Sequence, residues 1–125
     1  MSEQKKKMII IVTKREESKE TLEPPLHIAT MAALLDAEVK MFYTAKARLL
    51  LKKGVAENLV HQEGRQPLIE TIREAKEAGV QIYVCTPVLE WNKLNKNDFI
   101  EEIDGIVGAM TLVKESLEAS STISF

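Results

Sequence analysis

The sequence predicts an α/β domain: a three-layer sandwich in which a mostly parallel sheet of about five strands carries helices on both faces. Three observations predict it. Short apolar runs rich in β-branched residues recur along the chain, as at Ile9-Ile10-Ile11-Val12 and Val80-Gln81-Ile82-Tyr83-Val84. Between them lie segments whose apolar residues repeat at spacings of three and four. The two patterns alternate as β-α-β-α-α-β-α-β-α-β, and strands separated by helices pair in parallel through right-handed crossovers.

Residues 8–12 form the first strand, a continuous apolar run of the kind buried on both faces of a parallel sheet. Residues 1–7, with Lys5, Lys6 and Lys7, precede it as a basic tail, leaving 8–125 as a single domain. After a polar loop, Pro24 and Pro25 mark a first helical turn and residues 26–35 a helix apolar nearly all round. Such a helix needs cover on two sides, from the sheet and from something else, such as another subunit. Residues 38–43 alternate as a second strand, with one face partly wet. A short helix over 45–53 ends at Gly54, and a stronger one over 66–78 starts beside Pro67 and stops at Gly79. The third strand runs into Cys85-Thr86-Pro87. Beyond it come a short helix over 88–94, a surface loop, a helical turn over 98–102 capped by Asn97, and a brief strand over 103–107. A last helix over 108–119 turns Ala109, Leu112, Val113 and Leu117 inward. Residues 122–125 close the sheet as a docked strand.

Bulk properties exclude several function classes. The 125 residues carry a net charge of −2, so no basic field draws a phosphate backbone and nucleic acid is not a direct partner. No apolar run is long enough for a membrane span or a signal-peptide core. One cysteine permits no internal disulfide, which makes the cytoplasm the expected compartment. The glycines form neither phosphate-binding fingerprint, and His27, His61 and Cys85 lack metal-ligand spacing, so no cofactor and no metal are expected.

The chemistry converges on Cys85. A parallel strand delivers its carboxyl end to one rim of the sheet, where the next helix begins with unpaired N–H groups and a partial positive charge. A thiol there is expected to have a lowered pKa and to serve as a thiolate nucleophile. Thr86 suits the N-cap and Pro87 the first helical position. The opposing reading is an inert thiol, since cysteine is among the most buried residue types. Other strand ends bring Thr13 and Lys14, then Tyr43, Thr44 and Lys46, to the same rim. Lys46 or Arg48 can pair with an anionic sulfur substrate, or simply be solvated. Glu90, about a turn past Cys85, and His27 are candidates for moving or orienting a proton. Trp91 more often packs an edge than stacks a ligand.

The segments "MIIIVT", "HIATMAALLDAEVKMFYT", "LLLKKGVAENL", "ETIREAKEAGVQIYVCTPVLE" and "GIVGAMTLVKESLEASSTISF" together resemble the small DsrE/DsrF-like sulfur-relay proteins over nearly the whole chain. "Y-V-C-T-P" followed by "G-A-x-T-L-V" and a terminal strand is the more specific part. The resemblance implies a flavodoxin-like sheet and cyclic homo-oligomers, trimers or hexamers of two stacked trimers. It also implies a strand-end cysteine, here Cys85, that carries sulfur between donor and acceptor proteins or small thiols. Several relatives have a further cysteine shortly after the first; here Val88 stands nearby and no second thiol exists. Two alternatives stay open: a non-catalytic oligomeric or ligand-binding module with Cys85 inert, and a one-cysteine thiol peroxidase.

Overall fold

Ile9 and Ile10 are both fully shielded from solvent, and as consecutive strand residues they point to opposite faces of the sheet. Their strand, β1 (Lys7–Val12), therefore has both faces covered. The computed structural model describes residues 5–14, 22–60, 64–86 and 95–125. In it β1 pairs with β2 (Glu38–Tyr43), β2 with β3 (Gln81–Thr86), and β3 with β4 (Gly105–Gly108). β5 (Ser121–Ser124) joins the other side of β1, giving the order β4-β3-β2-β1-β5 with every pairing parallel.

This order decides the layers. Each step from β1 to β4 moves in one direction across the sheet, and right-handed crossovers then keep the connecting helices on one face. α1 (Pro24–Leu34) and α2 (Leu68–Glu77) occupy it, and a 3-10 helix at Ala45–Leu51, which starts at the carboxyl end of β2, packs Ala47, Leu50 and Leu51 into the same core and also contacts β3. Under them lies the main core, with Ile10, Met41, Ile82, Leu26, Leu50, Leu51 and Ile72 all essentially inaccessible. The return from β4 to β5 runs the opposite way, so α3 (Ala109–Glu118) lies on the other face, over Ile9, Phe42 and Cys85.

The two faces are held differently. α3 has no fully buried residue, and Met110, Val113 and Leu117 are exposed. Of the four side chains expected to turn inward, Leu112 packs against the sheet and Ala109 is half-buried, whereas Val113 and Leu117 face out. An ion network replaces the missing apolar contact. Lys7 Nζ donates to Glu115 Oε1 at 2.8 Å and to Glu118 Oε1 at 3.4 Å, while Lys40 Nζ lies 3.1 Å from Glu115 Oε2. Lys7, expected in the basic tail, is the first residue of β1, paired in register with Glu38, and Lys40 is the polar residue inside β2, whose Phe42 is buried rather than wet.

Local differences from the sequence pattern have physical causes. The helix expected over 45–53 is a 3-10 helix ending at Leu51, because Ile100 N–H donates to the Leu51 carbonyl and Lys52 bridges Phe99. The turn expected over 98–102 shrinks to Lys96–Asp98, capped by Asn95, whose Oδ1 accepts from the Asn97 N–H at 2.9 Å. Phe99, Ile100 and Ile103 are instead drawn into the core. α2 stops as expected at Gly79, whose φ of +105° is a left-handed conformation that glycine adopts without strain. The chain's last residue is docked: Phe125 N–H donates to the Ile11 carbonyl at 2.7 Å. α1 leaves Met31, Leu34 and Leu35 exposed, the uncovered side of its all-round apolar surface.

The Lys7 ammonium beside Glu115 holds that carboxyl below its ordinary value, overcoming partial burial, and Lys40 adds to the effect. A depressed carboxyl contributes stability above the unfolded value of about 4.3, and loses it as pH falls through the folded value. Glu115→Gln is therefore expected to lower unfolding stability at pH 7 by about 1–2 kcal/mol. In urea melts at several pH values the difference from the parent should close as the pH drops below about 4.

Candidate functional site

The penultimate residue of β3 is Cys85, paired in register with Val107. One position earlier Val84 faces Tyr43, so Thr44, the residue that follows β2, stands beside Cys85. Thr44 N–H still donates to the Val12 carbonyl at 3.0 Å, which carries the ladder one residue past β2. Alternation along both chains puts Phe42, Thr44, Tyr83 and Cys85 on the α3 face. The Phe42 and Tyr83 rings stack there with centroids 5.4 Å apart, forming a floor toward the amino end of the site.

Cys85 is 1% exposed, in a cluster with Ile9 and Phe42 that Ile11, Val107 and Leu112 flank. This reverses the electrostatic expectation drawn from its strand-end position. Burial pushes the thiol up from its ordinary value, and that effect exceeds two opposing ones: a hydrogen bond with the Thr44 hydroxyl and the charge of Arg48. The thiolate, if formed, is thus supported by one hydroxyl and one guanidinium against a desolvating wall.

The structure sorts the other candidates. Arg48 is half-buried in the 3-10 helix Ala45–Leu51, and its field reaches Cys85. Lys46 lies on the same helix but is exposed. At three residues per turn, side chains two positions apart are rotated by two thirds of a turn, so the two cations cannot share a direction. Thr86 follows Cys85 but alternates to the opposite face. Thr13 serves a different end of the sheet: its hydroxyl and its N–H both donate to the Phe125 carbonyl at 2.9 Å, fastening β5. His27 is exposed in the first turn of α1, a helix on the face away from Cys85. Glu90, His61, Trp91, Pro87 and the short helix expected over 88–94 lie outside the described residues. Among the described residues no three His, Cys, Asp or Glu side chains converge as a metal site requires.

Two surface clefts of about 620 and 660 Å³ lie elsewhere, one near Arg73, Phe99 and Glu102 and one at the amino end of β1 beside Leu35 and Ser121. The site residue that sequence reasoning missed is Ala45, which has a φ of +54° between Thr44 and Arg48. Nothing in an alanine announces a left-handed backbone.

Thr44→Val removes the hydroxyl that supports the thiolate while keeping the side-chain shape. Titration of the thiolate ultraviolet absorbance, with Cys85→Ser as the blank, should show a parent midpoint above that of free cysteine and a further rise in Thr44→Val.

Comparison with known proteins fits this architecture. The crystal structure of the ychN protein from E. coli superposes with a TM-score of 0.70 over 98% of this chain and 100% of that one, at 16% identity. MTH1491 from Methanobacterium thermoautotrophicum, described as a protein of unknown function, gives 0.65 over 96% and 99%, at 15% identity. Both support a flavodoxin-like three-layer arrangement. A search of curated protein sequences returns no match. A family model, however, matches residues 6–125, from the residue before β1 through β5 and including the strand end that bears Cys85. That span takes in every element of the sheet, and the chain belongs to the DsrE/DsrF-like family, a family associated with sulfur relay.

Proposed function

We propose that this protein is a sulfur carrier in which Cys85 accepts sulfane sulfur from a donor and hands it to a partner. One observation carries the reading: within a sulfur-relay family, the only thiol of the chain lies at the carboxyl end of β3 with the Thr44 hydroxyl and the Arg48 charge beside it. In the loading step the Cys85 thiolate attacks the terminal sulfur of a donor persulfide. The Sγ–S bond forms, the donor S–S bond breaks, and the donor leaves as a thiolate that takes up the proton Cys85 gave up. Two electrons stay with each sulfur pair, so no external oxidant or reductant is needed. Unloading repeats the exchange with an acceptor thiolate. With no second thiol in the chain, both exchanges are intermolecular.

Such a carrier works through donor and acceptor proteins or small thiols, without cofactor, in the cytoplasm and as a cyclic homo-oligomer. No described helix is long and apolar enough to cross a membrane. The exposed apolar residues of α1 and α3 offer surface for self-association. The burial of Cys85 favours a second reading, an inert core thiol in a non-catalytic subunit.

Intact-mass measurement after incubation with polysulfide or a persulfidated donor protein separates the two. A carrier gains the mass of sulfur, loses it to dithiothreitol, and shows no gain as Cys85→Ser. An inert core thiol gains nothing and reacts with a maleimide only after denaturation.

A further inference from the structure

Among the described residues the backbone beside Cys85 is strained at Ala45. Thr44 is extended, with φ −126° and ψ 171°, and Ala45 then turns into the left-handed region at φ +54°. There the Cβ of an L residue crowds its own backbone, and such conformations persist only where the surroundings enforce them. One consequence of this turn is visible. The turn sends the chain into the 3-10 helix Ala45–Leu51, whose three-residue period brings Arg48 over Ala45. Arg48 Nε donates to the Ala45 carbonyl at 3.0 Å, Nη1 of the same guanidinium is shielded from solvent, and the 3-10 helix packs against β3, the strand that bears Cys85.

We propose that Ala45 is a positioning residue, whose left-handed backbone presents its carbonyl to Arg48 Nε and so fixes the guanidinium beside the Cys85 sulfur, making Arg48 the group that steadies charge on that sulfur. The inference rests on Cys85 being the reacting atom. A guanidinium suits the task because Nε can hold the clamp while the remaining N–H groups of the rigid fork keep their own direction. An ammonium has one nitrogen on a flexible stem and cannot do both.

Among the described residues, the charges acting on the thiol are one-sided. From the 3-10 helix Arg48 favours the thiolate, as does the Thr44 hydroxyl at the end of β2, both against burial. On α3 the acid turned toward the sheet, Glu115, is engaged by Lys7 and Lys40. On β3 the Tyr83 hydroxyl donates to Gln81 Oε1 at 2.6 Å. Lys46 is exposed.

The test is the pH midpoint of thiolate absorbance, blanked with Cys85→Ser, in a set of variants checked for folding by circular dichroism. Arg48→Ala should shift the midpoint upward, and Arg48→Lys nearly as far, since it keeps the charge and loses the clamp. Ala45→Val, whose branched side chain resists positive φ, should also shift it upward, yet add nothing in the Arg48→Ala background. Ala45→Gly, which accepts the same φ, should titrate with the parent. The proposal is overturned if Arg48→Lys titrates with the parent, or if Ala45→Val moves the midpoint equally with and without Arg48. Should Ala45→Val fail to fold, the Arg48→Lys comparison decides. The titration uses no sulfur donor, so the two proposals fail separately. A parent protein that loads no sulfur but has an Arg48-dependent midpoint defeats the carrier reading and keeps the clamp; sulfur loading with an Arg48-indifferent midpoint does the reverse.

Discussion

A parallel crossover turns with one hand, so the direction in which strands are added across a sheet decides which face receives each helix. Everything distinctive about this molecule descends from that constraint acting on the order β4-β3-β2-β1-β5. Three successive steps in one direction stack α1, α2 and the 3-10 helix over a continuous aliphatic core. A single long return to β5 supplies one helix to the other face, and that face holds Cys85. The thiol therefore sits on the thinly built side of the protein, where α3 is attached through Leu112 and through the Lys7–Glu115–Lys40 network rather than by a buried apolar stripe.

This asymmetry bears on reactivity. A buried sulfur is a poor nucleophile while neutral, and desolvation opposes its ionisation. Among the described residues, the local groups that counter desolvation come from one stretch of chain, Thr44 through Arg48, immediately beyond β2. The parallel register sets Thr44 beside Cys85, and past the left-handed turn at Ala45 the Arg48 Nε donates to the Ala45 carbonyl. A charged group within such a low-dielectric wall acts more strongly than the same group in water. Lys46, two residues before Arg48 and equally cationic, shows the contrast: it lies in solvent, where its charge is screened.

Much of the architecture was legible in the residues. The β-branched run at Ile9-Ile10-Ile11-Val12 required a strand covered on both sides, and the stripe of Leu68, Ile69, Ile72 and Ala75 closed by Gly79 required a helix ending there. Cys85 at a strand end, with Thr44 and Arg48 among its candidate neighbours, could be named because strand ends of a parallel sheet share one rim. Misjudged residues share a cause as well. Val113 and Leu117 fit an inward stripe on periodicity, but periodicity assumes that a helix has enough sheet beneath it to bury the stripe. Thr13 looked equivalent to Thr44 as a rim residue, yet it neighbours β5 and serves Phe125.

By itself the sequence determined the element types, the parallel sheet, the place of its one thiol at a strand end and the likeness to a sulfur-relay family, because these follow from local periodicity, turn chemistry and motif order. Tertiary structure alone decided which face carries Cys85, that burial raises its pKa, and that Arg48 rather than Lys46 answers it. Burial and electric field depend on atoms far apart in the chain. The left-handed φ of Ala45 is set by contacts that no single residue type encodes.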